Sequence, residues 1–139
     1  MPSHKLPAME PATREAIVAR LADATVAVEV AVGTRPDVAG ALAARGVDVT
    51  ATDVRPREVP PGVTFVRDDL LDPDLDVYRG ADVVYARNLP AELQRPTHEI
   101  AAAVDARLSF TTLGAEEPAV RVQREALPGE TLYQAVGTP

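Results

Sequence analysis

Thr25 to Val32 reads TVAVEVAV, an almost unbroken apolar and β-branched run. A strand that is apolar on both faces is stable inside a sheet covered by helices on both sides, which is the habit of parallel sheets. Gly33 breaks the run, and Thr34-Arg35-Pro36-Asp37 opens a helix. Pro36 suits a first turn, and Thr34 with Asp37 makes a capping-box-like pair. That helix runs through Val38, Leu42 and Ala43 and ends at Gly46.

Similar segments follow. Val47 to Thr52 is a second strand closed by Asp53, and Val63 to Val66 a short third strand closed by Asp68 and Asp69. A proline-rich loop lies between them. Asp72 to Gly80 is a loop with at most a short helix, and Ala81 to Ala86 is a fourth strand. Asn88-Leu89-Pro90 starts a helical region to Ala106, which Pro96 is expected to divide. Arg107 to Thr112 is a fifth strand. Ala119 to Arg124 and Thr131 to Val136 form a hairpin around Leu127-Pro128-Gly129-Glu130. Upstream, Ile17, Val18 and Leu21 share one face of an amphipathic helix over Pro11 to Asp23, while the first ten residues read as a flexible tail. Strands alternating with helices predict an α/β fold with an open, mainly parallel sheet. Right-handed crossovers give the Rossmann-like order 3-2-1-4-5, with the hairpin on the strand-5 side.

The chain has 139 residues, enough for one domain and one core. It has no cysteine, which excludes a disulfide framework, a thiol nucleophile and a cysteine-ligated zinc site. Its two histidines, His4 and His98, cannot build a histidine-rich metal centre. His98 is read as a solvated or capping residue. No apolar run reaches the roughly 20 residues of a membrane span, so the expected setting is the cytoplasm. The net charge is -7, and Lys5 is the only lysine among 14 bases. That composition suggests a GC-rich genome and a salt-rich interior, with acids serving solubility. Without a basic run, broad attachment to nucleic acid is not expected.

Ligands of such sheets sit outside the carboxyl ends of the strands, at the switch between strands 1 and 4. Gly33, Asp53, Asp68, Asp69 and Asn88 all follow strands in that position. Each alone is equally at home as a turn or cap residue. Together they describe a nucleoside pocket. Gly33 allows close backbone approach, and the N–H groups of Thr34 and Arg35 face a ligand at the helix start. Asp53, twenty residues after Gly33, is spaced to accept hydrogen bonds from ribose hydroxyls. It would repel a 2′-phosphate. Asp68 or Asp69 could accept from an adenine amino group. Glu29, a charged residue within the apolar strand, needs a partner.

The run VEVAVG with TDV resembles class I S-adenosylmethionine-dependent methyltransferases, with Glu29 matching the motif acid and Gly33 one glycine. Ala31 and Arg35 stand where that motif has other glycines. The series VEVAVGTRPDVAGALAARG, DVTATDV, FVRDD, YARNLPAELQRP, TTLG and PGETLY is similar to the archaeal uncharacterised protein family 0146. The resemblance implies a methyltransferase-like Rossmann fold without an assigned activity. It also implies that Glu29 supports the methionine amino end of S-adenosylmethionine. Asn88-Leu89-Pro90-Ala91 resembles the Asn-Pro-Pro-aromatic motif of some methyltransferases only weakly, and Asn88 is read as a helix cap.

Three functions stay open at this point. The first is binding of S-adenosylmethionine or a related small nucleoside cofactor, with methyl transfer as an added possibility. The second is an NAD- or nucleotide-binding regulatory module, with Arg35 on phosphate and Asp53 on ribose. The third is a degenerate Rossmann domain acting in assembly with a protein partner or a second copy.

Overall fold

A computed structural model describes residues 10–114 and 116–139. The expected N-terminal tail therefore lies, apart from Glu10, outside the described residues. Chain order is α1 (Pro11–Leu21), β1 (Val26–Glu29), α2 (Asp37–Ala44), β2 (Asp48–Asp53), β3 (Val63–Arg67), β4 (Val83–Ala86), α3 (Ala91–Ala103), β5 (Arg107–Phe110), β6 (Val122–Leu127) and β7 (Glu130–Ala135). A single 3-10 turn at Leu75–Val77 interrupts the β3–β4 loop.

The strands form one sheet in the order β3-β2-β1-β4-β5-β7-β6. The first five are parallel, and the hairpin adds β7 antiparallel to β5 with β6 outermost. Each face carries its own core because side chains alternate along a strand. Ala27, Val49 and Val83 meet Ile17 and Leu21 of α1 and Val38 and Leu42 of α2. Val28, Val84, Leu108 and Phe110 meet Ile100 of α3 and Tyr78 on the other face. The Asp82 carboxylate accepts the N–H groups of Thr25 and Val26 at 2.8 and 2.9 Å, which ties the start of β1 to β4.

Several local expectations give way to tertiary contacts. β1 ends at Glu29 rather than Val32, because Ala31 adopts a left-handed backbone with φ of 52°. The Thr34–Asp37 capping pair does not form. Pro36 is the N-cap of α2, no side chain caps it, and Asp37 turns to Arg87. Pro96 does not divide α3, which runs unbroken through it. Its missing N–H removes one bond near the helix start, and the buried face of Gln94, Thr97, Ile100 and Ala101 holds the axis against the sheet. Asn88 is no helix cap, since Pro90 holds that position. His98 is buried rather than solvated, packed beneath the backbone of Gly137.

Candidate functional site

The carboxyl ends of β1, β2 and β3 enclose a cavity of about 230 Å³. Its polar lining is Thr52, Asp53, Asp68 and Asp69, and its apolar lining includes Val54, Leu70, Leu71 and Leu93, with Ala31 at the β1 end. Val54 and Leu71 are 52% and 69% exposed although large and apolar. A leucine or valine left in water at the mouth of a cavity offers a flat apolar ligand a surface to cover.

Asp53 is the best-held acid of the site. Its Oδ2 accepts the Gly33 N–H at 2.9 Å and its Oδ1 the Arg55 N–H at 3.0 Å. The Arg57 guanidinium stands 3.3 Å from Oδ2 as an ion-pair contact, without the geometry of a hydrogen bond. Burial pushes the Asp53 carboxyl up, but the two backbone donors and Arg57 outweigh it and hold the group below its ordinary value. Asp53 is therefore a fixed, ionised acceptor with lone pairs left over, since a carboxylate has about four acceptor positions.

Asp68 is also fastened, receiving the Tyr78 hydroxyl at 2.6 Å and the Asp74 N–H at 2.9 Å. Asp69 Oδ1 accepts the Leu71 N–H at 2.9 Å, and no described residue donates to Oδ2. The two acids thus differ in what they offer a ligand. Asp68 organises the loop, while Asp69 Oδ2 receives no hydrogen bond from the described residues and lies at the cavity.

Gly33 has φ of 61°, a conformation that suits glycine, and its N–H is the one that Asp53 holds. Gly33 and Thr34 line a neighbouring cavity of about 520 Å³ together with Pro36, Arg57, Glu58 and Pro60. Asp53 lies beside both cavities. Neither is lined by Glu29, Arg35 or Asn88.

Glu29 is 1% exposed and sits opposite Tyr85 in the β1–β4 register. Burial pushes its carboxyl up to about 8, against the pull of the Tyr85 hydroxyl and the Arg87 guanidinium, while Asp37 adds to the rise. At neutral pH Glu29 is mostly protonated. The Tyr85 hydroxyl lies beside it, but neither Glu29 Oε1 nor the hydroxyl has a well-formed hydrogen bond. Arg87, its side chain 12% exposed, donates to the Arg35 carbonyl at 3.1 Å and meets Asp37 at 3.4 Å. It clamps the β1–α2 loop to the end of β4. Asn88 is exposed with φ of 54°, and its N–H donates to Thr111 Oγ1 at 2.9 Å.

Left-handed backbone at a non-glycine residue costs on the order of 1–2 kcal/mol. Ala31 carries that strain after β1, and Asn88, a residue type that tolerates it better, adopts the same backbone after β4. These two strands flank the switch point, and such strain collects where function constrains the chain.

The profile of the uncharacterised protein family UPF0146 matches residues 12–135. The chain belongs to that family. A UPF0146 protein of Halobacterium salinarum is 48% identical over 120 residues, covering 86% of this chain and 93% of its own length. One from Archaeoglobus fulgidus is 42% identical over 79 residues, covering 57% and 61%. Among solved structures, the fold of this UPF0146 chain is similar to that of class I methyltransferases. Magnesium protoporphyrin IX methyltransferase from Synechocystis, with S-adenosylmethionine bound, superposes with a TM-score of 0.60 at 14% identity, covering 88% of this chain and 76% of that one. A TehB-like S-adenosylmethionine-dependent methyltransferase from Corynebacterium glutamicum gives 0.60 at 16%, covering 88% and 85%. At these identities the likeness concerns the fold.

Sequence reasoning brought Gly33, Asp53, Asp68 and Asp69 to one edge. It missed Val54, Leu71 and Leu93 as cavity walls. A signal for the first two was present, since Val54 directly follows Asp53 and Leu71 comes two residues after Asp69, the acids that close strands. Leu93 gave none, because it comes from a helix whose position the local pattern does not specify.

Proposed function

We propose that the protein binds a nucleoside cofactor of the S-adenosylmethionine class through its adenosine half. The observation that carries this is Asp53, ionised, fixed by the Gly33 and Arg55 N–H groups, and lining an apolar cavity at the end of β2. Ribose hydroxyls donate to the remaining lone pairs of Asp53. The base lies between Val54 and Leu71, and Asp69 Oδ2 accepts its amino group. Ala31 and Gly33 form the β1 side of the site. The methyltransferase fold, seen with S-adenosylmethionine bound in one neighbour and with S-adenosylhomocysteine in a glycopeptide N-methyltransferase, supports the same class of ligand. Methyl transfer would need an acceptor bound near the ends of β4 and β5.

The test is thermal unfolding with S-adenosylmethionine, S-adenosylhomocysteine, adenosine and NAD. A ligand that binds only the folded chain, present at about 100 times its Kd, adds about 2.7 kcal/mol. For a domain of this size that raises the midpoint by roughly 10 °C. Adenosine, S-adenosylmethionine and S-adenosylhomocysteine should shift wild type and leave Asp53→Ala unmoved, while NAD should shift neither. A folded wild type that none of them stabilises refutes the reading.

A further inference from the structure

The position of the cavity within the sheet decides which part of an adenosyl ligand it can hold. Base contacts lie at the ends of β2 and β3, and the ribose acid ends β2. In the order β3-β2-β1-β4, the ribose C5′ therefore points toward β1 and β4. A long substituent on C5′ would have to leave the cavity on that side.

Two apolar side chains, Ala31 and Leu93, line the cavity there. Ala31 presents a methyl group from a left-handed backbone where glycine would be strain-free and open. Leu93, from the first turn of α3, lies beside the same cavity. Pockets for drug-sized ligands run about 300–1,000 Å³, and this one has about 230 Å³. Beyond these two residues, the groups that could receive an ammonium are engaged. Arg87 occupies the Arg35 carbonyl and Asp37. Glu29 lies within the core at 1% exposure. A zwitterionic amino-acid arm would have to compete with Arg87 for these acceptors, and the desolvation of its two charges opposes binding.

We propose that the site selects a purine nucleoside whose C5′ bears no charged arm, adenosine or a short 5′-thioether of it, over intact S-adenosylmethionine and S-adenosylhomocysteine. Ala31 is the specificity-determining residue. The proposal rests on the adenosine-binding reading above.

Calorimetric titration of the full chain with adenosine, 5′-methylthioadenosine, S-adenosylhomocysteine and S-adenosylmethionine separates the two. The short nucleosides should bind wild type at least tenfold more tightly than the two amino-acid-bearing compounds. Ala31→Gly should narrow that gap by strengthening S-adenosylhomocysteine relative to adenosine, because glycine removes the methyl group and adopts the native backbone without strain. Equal or tighter binding of S-adenosylhomocysteine by wild type overturns the selectivity and leaves the nucleoside site standing. So does an Ala31→Gly variant whose ligand ratios do not change. Binding of none of the four overturns both.

Discussion

Glu29 should invert the usual direction of a carboxylate's contribution to pH stability, and replacing it by glutamine should remove that contribution. The Glu29 carboxyl titrates near 8 in the folded chain and at 4.5 when free. Between those values the folded chain holds a proton that the unfolded chain has released. Stability is therefore full below about pH 4.5 and falls as pH rises toward 8, above which it levels off. At about 1.36 kcal/mol per pH unit, the span amounts to about 5 kcal/mol as an upper estimate. Glu29→Gln keeps the shape and one donor but cannot ionise, so it removes this slope. Urea unfolding of both proteins from pH 5 to 9, at fixed salt and with unchanged m-values, isolates the effect. The variant's stability relative to wild type should climb with pH and exceed it by several kcal/mol at pH 9. A pH-independent difference, or wild type gaining on the variant as pH rises, would show that Glu29 is ionised in the fold and refute the argument from burial.

Other outcomes follow from single contacts. Gln94 is fully buried and links the Leu89 carbonyl at 3.0 Å to the Ala119 N–H at 2.6 Å. Gln94→Ala leaves both unpaired and should lower stability by on the order of 2 kcal/mol in denaturant titration. Asp53→Ala strips the acceptor from the Gly33 and Arg55 N–H groups, and should cost about 2 kcal/mol while also speeding hydrogen exchange at Gly33. Burial holds His98 below its ordinary value, against the bond to the Gly137 backbone. The unfolded chain therefore takes the proton first, so wild type should lose stability relative to His98→Gln as pH falls below about 6.5. A stability difference between the two proteins that stays constant through that range would remove His98 from its buried position.

The alternation of apolar strands with helices was legible from Thr25 onward, because a strand apolar on both faces has one stable home. The strand order and the position of Gly33, Asp53, Asp68 and Asp69 at one edge follow from that alternation and from the handedness of crossovers. Element ends were less legible. Strand 1 stops early at the left-handed Ala31, and α3 passes through Pro96 because packing against the sheet outweighs one lost hydrogen bond.

What a local pattern determines is which face of an element is apolar and where the chain must turn. What it leaves open is which side chains from distant segments meet. Arg87 reaches the β1–α2 loop across 52 positions of sequence, and its contact with Asp37 replaces the capping pair that neighbours alone would form. Leu93 closes the cavity because α3 docks against β4 and β5. Glu29 keeps its proton because two layers of helices exclude water from the strand that carries it. Those three facts depend on desolvation and long-range packing, and desolvation is a property of the folded chain rather than of any stretch of its sequence.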